Sequence, residues 1–183
     1  MKLYLVRHAA AAVRPELPSA QWHLSAEGRA AADALAEEPY WASIGIVYTS
    51  AEPKAAGTAQ RIAARNALPI GVEPGLGEVG GRAWVEGDSR DVARRYLRGE
   101  PVEGWEPRDA ATSRFRACVD TIASRHGAAD VGAVSHGLVL TLYLAGLLGL
   151  ADDAVVDLWE GIGFPDVAVV DPEARRMEKA FGA

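Results

Sequence analysis

Three short stretches of this 183-residue chain place reactive side chains directly after β-prone runs. Arg7 and His8 follow Leu5-Val6. Ser50 follows Tyr48-Thr49 and leads to Lys54, and His136 sits in Ala133-Val134-Ser135-His136-Gly137. In an open α/β sheet, ligands bind beyond the carboxyl ends of the strands, so three such ends can converge on one pocket. An arginine, a lysine and two imidazoles gathered there would make a locally basic pocket, suited to a small anion. Each also has a bland alternative. Arg7 and His8 could end a buried strand as a solvated pair, Ser135-His136-Gly137 could be a helix start with a structural histidine, and Lys54 could be an ordinary exposed lysine.

The elements around these residues alternate in type. Residues 2–7, 44–48, 68–72, 130–134 and 166–170 are β-prone, and several are continuous apolar runs, as expected of strands covered on both faces. Between them lie helical segments: an alanine-rich run from the N-cap residue Ser25 to Glu38, then 52–66, 91–97, 109–125, 137–148 and 152–159. Gly127 is placed to end the fourth. This alternation predicts an α/β protein of three layers, α/β/α, around a central and mostly parallel sheet.

The length predicts one domain over residues 1–183, with an insertion at about 75–107. That insertion is glycine-rich, carries Trp84 and Trp105, and has one helical patch holding Arg90, Arg94, Arg95 and Arg98. It reads as a substrate loop, with a surface suited to an aromatic or anionic group.

Composition narrows the partners. A net charge of -6 argues against nucleic-acid binding, which needs a basic face. The longest apolar stretch, Leu138 to Leu150, is too short for a bilayer, so no membrane partner is expected. Only four apolar residues gather near the N-terminus, too few for a signal-peptide core, and the single Cys118 excludes an internal disulfide. A cytoplasmic location follows as an expectation. Cys118 is expected in the core, while His23 and His126 read as structural or surface residues; oligomeric state stays unassigned.

Five segments in chain order resemble the histidine phosphatase superfamily, also called phosphoglycerate-mutase-like. They are Arg7-His8 after a strand, Leu24-Ser25-Ala26-Glu27-Gly28, Ser50 through Ala59, Leu76-Gly77-Glu78-Val79, and Ser135-His136-Gly137, with Phe164-Pro165 before a final strand as the C-terminal edge. The resemblance runs from residue 2 to about 171. It implies a phosphoglycerate-mutase-like fold and a phosphatase that needs no cofactor or metal. By the same resemblance His8 attacks phosphorus through a neutral imidazole nitrogen and forms a phosphohistidine. Arg7 grips the phosphoryl oxygens, and His136 and Lys54 stabilise their charge. Glu78 protonates the leaving oxygen and then activates water. The substrate so implied is a small phosphorylated compound, or a phosphoprotein.

Two departures stand against the family pattern. Arg-His-Gly is here Arg7-His8-Ala9, followed by Ala10, Ala11, Ala12 and Val13, which offer few donors to phosphate. Lys54 stands where most relatives carry arginine, and an ammonium supplies charge without the bidentate fork. Compensation by Arg14 or by an arginine of the 90–98 patch is one expectation. The departures keep a non-catalytic phosphate-ligand binder in view as a second function, and a phosphoglycerate-type mutase as a third.

Overall fold

The structure, a computed structural model, describes residues 1–81 and 89–182. Leu3–Arg7 (β1), Ile44–Thr49 (β2), Ile70–Val72 (β3), Asp130–Ser135 (β4), Asp166–Asp171 (β5) and Arg176–Lys179 (β6) form one mixed sheet in the order β3-β2-β4-β1-β5-β6. The pairs β2–β3, β2–β4 and β1–β4 are parallel, while β5 runs antiparallel to β1 and β6 antiparallel to β5. The helices are Ala26–Leu35 (α1), Pro53–Asn66 (α2), Ser89–Leu97 (α3), Arg108–His126 (α4), Gly137–Leu148 (α5) and Asp152–Gly161 (α6).

Both faces of the sheet are covered, as the continuous apolar runs require. Every residue of β1 is buried. Leu3 and Leu5 face a core built with Leu97, Phe115, Leu140 and Val155 from α3, α4, α5 and α6, whereas Tyr4 and Val6 join Ala55, Ala59 and Ile62 of α2 on the other face. Fully burying one such leucine or isoleucine contributes about 1.5–3 kcal/mol, so the alternation along β1 welds the layers together. Residues 137–145 of α5 are all buried, which identifies the Leu138–Leu150 stretch as a core helix. Among the described residues, no helix is long and apolar enough to cross a membrane.

The expected elements are present, with three differences. β6 follows β5, so the strand after Phe164-Pro165 is not the last; Arg-Met-Glu-Lys carries little apolar signal because it is an outer edge strand. The alanine-rich helix stops at Leu35, short of Glu38. The arginine patch of the 75–107 region is the polar side of a core helix: Ala93, Tyr96 and Leu97 of α3 are buried, and Arg94, Arg95 and Arg98 pair with Glu160, Glu100 and Asp153 at 2.7, 2.7 and 3.5 Å. Trp84 lies outside the described residues.

Candidate active site

The sheet brings the three strand ends together. Arg7 is in register with Ser135, and the His8 amide donates to the Ser135 carbonyl at 3.0 Å. On the far side of β4, the Ser50 amide donates to the Val134 carbonyl at 3.2 Å. Arg7, His8, Ser50, Lys54 and His136 are all buried, an unusual density of polar groups that must satisfy one another or a ligand.

Arg7 is held on two sides. Its guanidinium carbon lies 3.4 Å from the Phe164 ring centroid, and Nη1 donates to the Ile162 carbonyl at 2.5 Å. On another side is the start of α5, where a Cβ on Gly137 would come within 3.1 Å of the guanidinium. His8 follows, with Nδ1 at 2.8 Å from the Ala9 carbonyl. A carbonyl only accepts, so Nδ1 carries a proton, and in the neutral imidazole the lone pair is on Nε2.

The alanines after His8 are pinned rather than loose. Ala9 does not take a positive φ, and its amide donates to the Thr58 hydroxyl at 3.0 Å. Ala10 accepts from the Ser25 amide at 3.0 Å, and Ala12 donates to the His23 carbonyl at 2.9 Å. Gly28 permits this approach, since a Cβ there would sit 1.9 Å from the Ala10 oxygen. Ser25 is the N-cap expected of it, accepting from the Gly28 amide at 2.9 Å.

His136 is fully buried. Its Nε2 shares a 2.7 Å hydrogen bond with the Ser50 hydroxyl and lies 3.4 Å from Glu52 Oε1, and its ring centroid is 5.1 Å from that of His8. Lys54 donates to Glu52 Oε2 at 2.6 Å and to the Ser19 carbonyl at 2.7 Å. Glu52 Oε1 also accepts from the Glu78 amide at 2.8 Å. One carboxylate therefore touches three of the residues singled out in the sequence. Glu52 itself was missed, because a carboxylate just before a helix is ordinary helix chemistry and signals nothing further.

Glu78 occupies the N-terminus of α5. Its carboxylate accepts from the amides of Leu138 and Val139 at 3.3 and 3.2 Å, and from Val79 at 3.0 Å. Arg114 of α4 holds the segment that carries it, donating to the carbonyls of Gly75, Gly77 and Glu78 at 2.8, 3.0 and 3.2 Å. Glu106 completes this clamp; its hydrogen bond from Arg114 holds its carboxyl below the usual range. The Ser135 hydroxyl donates to the Leu76 carbonyl at 2.7 Å and ties the same segment to β4.

A cavity of about 290 Å³ opens over these groups, and Arg7, His8, Lys54 and Glu78 line it. His136 does not; it stands behind the wall. The remaining wall is largely apolar, with Trp22, Leu138, Trp159 and Phe164. Neither Arg14 nor the 90–98 arginines line the cavity, which corrects the expectation that one of them replaces the missing fork. Arg14 pairs with Glu16 at 2.7 Å, and Arg90 is 5.3 Å from the Trp159 ring centroid. Trp105 packs on Tyr96 instead. His126 bonds Tyr48 at 2.7 Å, and His23 borders a separate groove along α1 and α2. Cys118 is partly buried against the core, its thiol pushed up to about 11 by burial. Among the described residues, no group of three His, Cys, Asp or Glu side chains is placed to hold a metal ion.

Solved structures share this architecture along nearly their whole length. A mycobacterial glucosyl-3-phosphoglycerate phosphatase superposes with a TM-score of 0.80 at 20% identity, over 100% of this chain and 99% of its own. Bacillus stearothermophilus YhfR gives 0.81 at 20% identity, over 99% and 96%. A mutant phosphoserine phosphatase from Entamoeba histolytica, complexed with phosphoserine, gives 0.77 at 18% identity, over 100% and 96%. At such identities the likeness concerns the fold. No curated protein matches the chain at significance. The family profile described as histidine phosphatase superfamily (branch 1) does match, over residues 3–159, a span that takes in β1, the Glu78 segment and the start of α5. The chain belongs to the histidine phosphatase superfamily.

Proposed function

We propose that this protein hydrolyses a phosphomonoester through a phosphohistidine on His8. The observation that carries the reading is the Nδ1 contact with the Ala9 carbonyl, which fixes the tautomer with its lone pair on Nε2, in a residue that lines the cavity. Nε2 forms the bond to phosphorus as the bond to the leaving oxygen breaks. Glu78, in its protonated form, gives that oxygen its proton. Water then attacks the phosphohistidine, returns a proton to Glu78, and breaks the N–P bond to release phosphate. Arg7 and Lys54 hold the phosphoryl oxygens, while His136 adds charge from behind the wall. No step in this reading calls for a metal. The cavity volume fits a small phosphorylated substrate, or the phosphorylated side chain of a protein.

The test is turnover of an aryl phosphate by the wild type and by His8→Ala, in metal-free buffer. Slow hydrolysis that vanishes in the variant is expected, with acid-labile phosphate trapped on His8. Label found on another residue would remove His8 from the role. A second reading, a phosphate-ligand binder without turnover, is favoured by Lys54 itself, which lines the cavity with a charge but without the bidentate fork of an arginine. Wild type that binds phosphate yet is as inert as His8→Ala would establish the binder.

A further inference from the structure

We propose that Glu52 is a built-in anion that competes with phosphate for Lys54, and so sets how tightly substrate and product are held. The inference rests on the reading of this cavity as a phosphate site.

An ammonium has three N–H donors. Lys54 gives one to Glu52 Oε2 at 2.6 Å and one to the Ser19 carbonyl at 2.7 Å, which leaves at most one for a ligand. The pair is sheltered, with side chains 6% and 15% exposed, so water screens the carboxylate poorly. The same carboxylate faces His136 Nε2 at 3.4 Å, where it offsets any positive charge that imidazole carries. The charged side chains lining the cavity are Arg7, Lys54 and Glu78, and Glu52 adds a second carboxylate behind Lys54, outside the lining. A phosphate entering this site gains the attraction of Lys54 and pays the repulsion of Glu52. Weak holding serves a hydrolase, since binding substrate and transition state equally tightly lowers KM without raising kcat.

A rival role, in which Glu52 merely braces Lys54, demands the opposite sign. Two substitutions separate charge from shape. Glu52→Gln keeps the shape and removes the charge; Glu52→Asp keeps the charge and shortens the reach. Calorimetric titration with inorganic phosphate, and its inhibition constant in the aryl phosphate assay, are the readouts. Removing the charge should tighten phosphate by about tenfold or more, with KM falling in parallel and kcat not rising. Glu52→Asp should stay within about threefold of wild type. Glu52→Met, unbranched and of similar reach, is a second charge-free variant and should tighten phosphate as well.

Charge-free variants that bind phosphate more weakly, or no differently, would overturn the proposal. So would an absence of phosphate binding by wild type and variants alike. Because binding is read without turnover, a wild type that binds phosphate but fails to hydrolyse ester sinks the phosphatase reading and still tests Glu52.

Discussion

Two histidines end neighbouring parallel strands one residue beyond a paired position, yet their surroundings differ in kind. His8 lines the cavity and is held by a main-chain carbonyl. His136 is sealed from solvent and held by side chains, Ser50 and Glu52. A carbonyl cannot change its role, so it fixes the proton on Nδ1 and, in the neutral imidazole, leaves the lone pair on Nε2, the nitrogen that the proposed mechanism uses. A hydroxyl that both donates and accepts, beside a carboxylate, suits neutral and charged imidazole alike, as a residue answering to charge on a neighbour requires. The same residue type on adjacent strands is thus given two different environments by its partners.

Substitutions at the two positions should separate accordingly. His8→Ala is expected to lower kcat by roughly ten-thousandfold or more, as losses of attacking groups do, with little change in melting temperature. Residual turnover above one part in a hundred would break the contrast at its base. His136→Ala should cost less activity, on the order of 100- to 1000-fold, the scale of a lost charge-stabilising donor. It should also cost stability, about 1–3 kcal/mol in denaturant titration, because Ser50 and Glu52 lose a buried partner. A His136→Ala protein as stable as wild type would show that those contacts hold nothing.

Glu78 gives a sharper test of the division of labour. Replacing it with Gln should slow alkyl phosphates by about a hundredfold and nitrophenyl phosphate by less than about tenfold, since a good leaving group needs no proton. Equal losses on both substrates would remove the acid from Glu78 and leave it a cap on α5. The smallest effect is expected at a histidine outside the pair. His126→Ala should leave kcat/KM unchanged and cost about 1 kcal/mol, the net worth of its bond to Tyr48. A drop in turnover there would mean that the site reaches further than the cavity.

The fold was largely legible in the sequence because burial leaves a local trace. Tyr4 and Val6 against one layer, Leu3 and Leu5 against the other, produce the unbroken apolar run that predicts a doubly covered strand. β6 escaped because an edge strand with mostly exposed side chains leaves no such trace. The arginines at 90–98 are ambiguous in the sequence for a related reason. Their spacing reports the polar face of a helix equally well whether that face meets a ligand or, as in α3, acidic side chains.

The site divides along the same line. Sequence alone determined that Arg7, His8, Ser50 and His136 stand at strand ends, and parallel strands carry such ends to one edge of a sheet. The resemblance of short segments added Glu78 and gave Lys54, already noted after Ser50, its implied role. Only the tertiary structure decided what each of them touches. Ser50 and His136 are 86 positions apart, and Arg7 and Ile162 are 155 apart. Periodicity reports whether a side chain is covered, through the residues beside it in the chain; which partner covers it depends on how separate elements pack. That is why Glu52, unremarked in the sequence, stands in the structure between Lys54, His136 and the Glu78 amide.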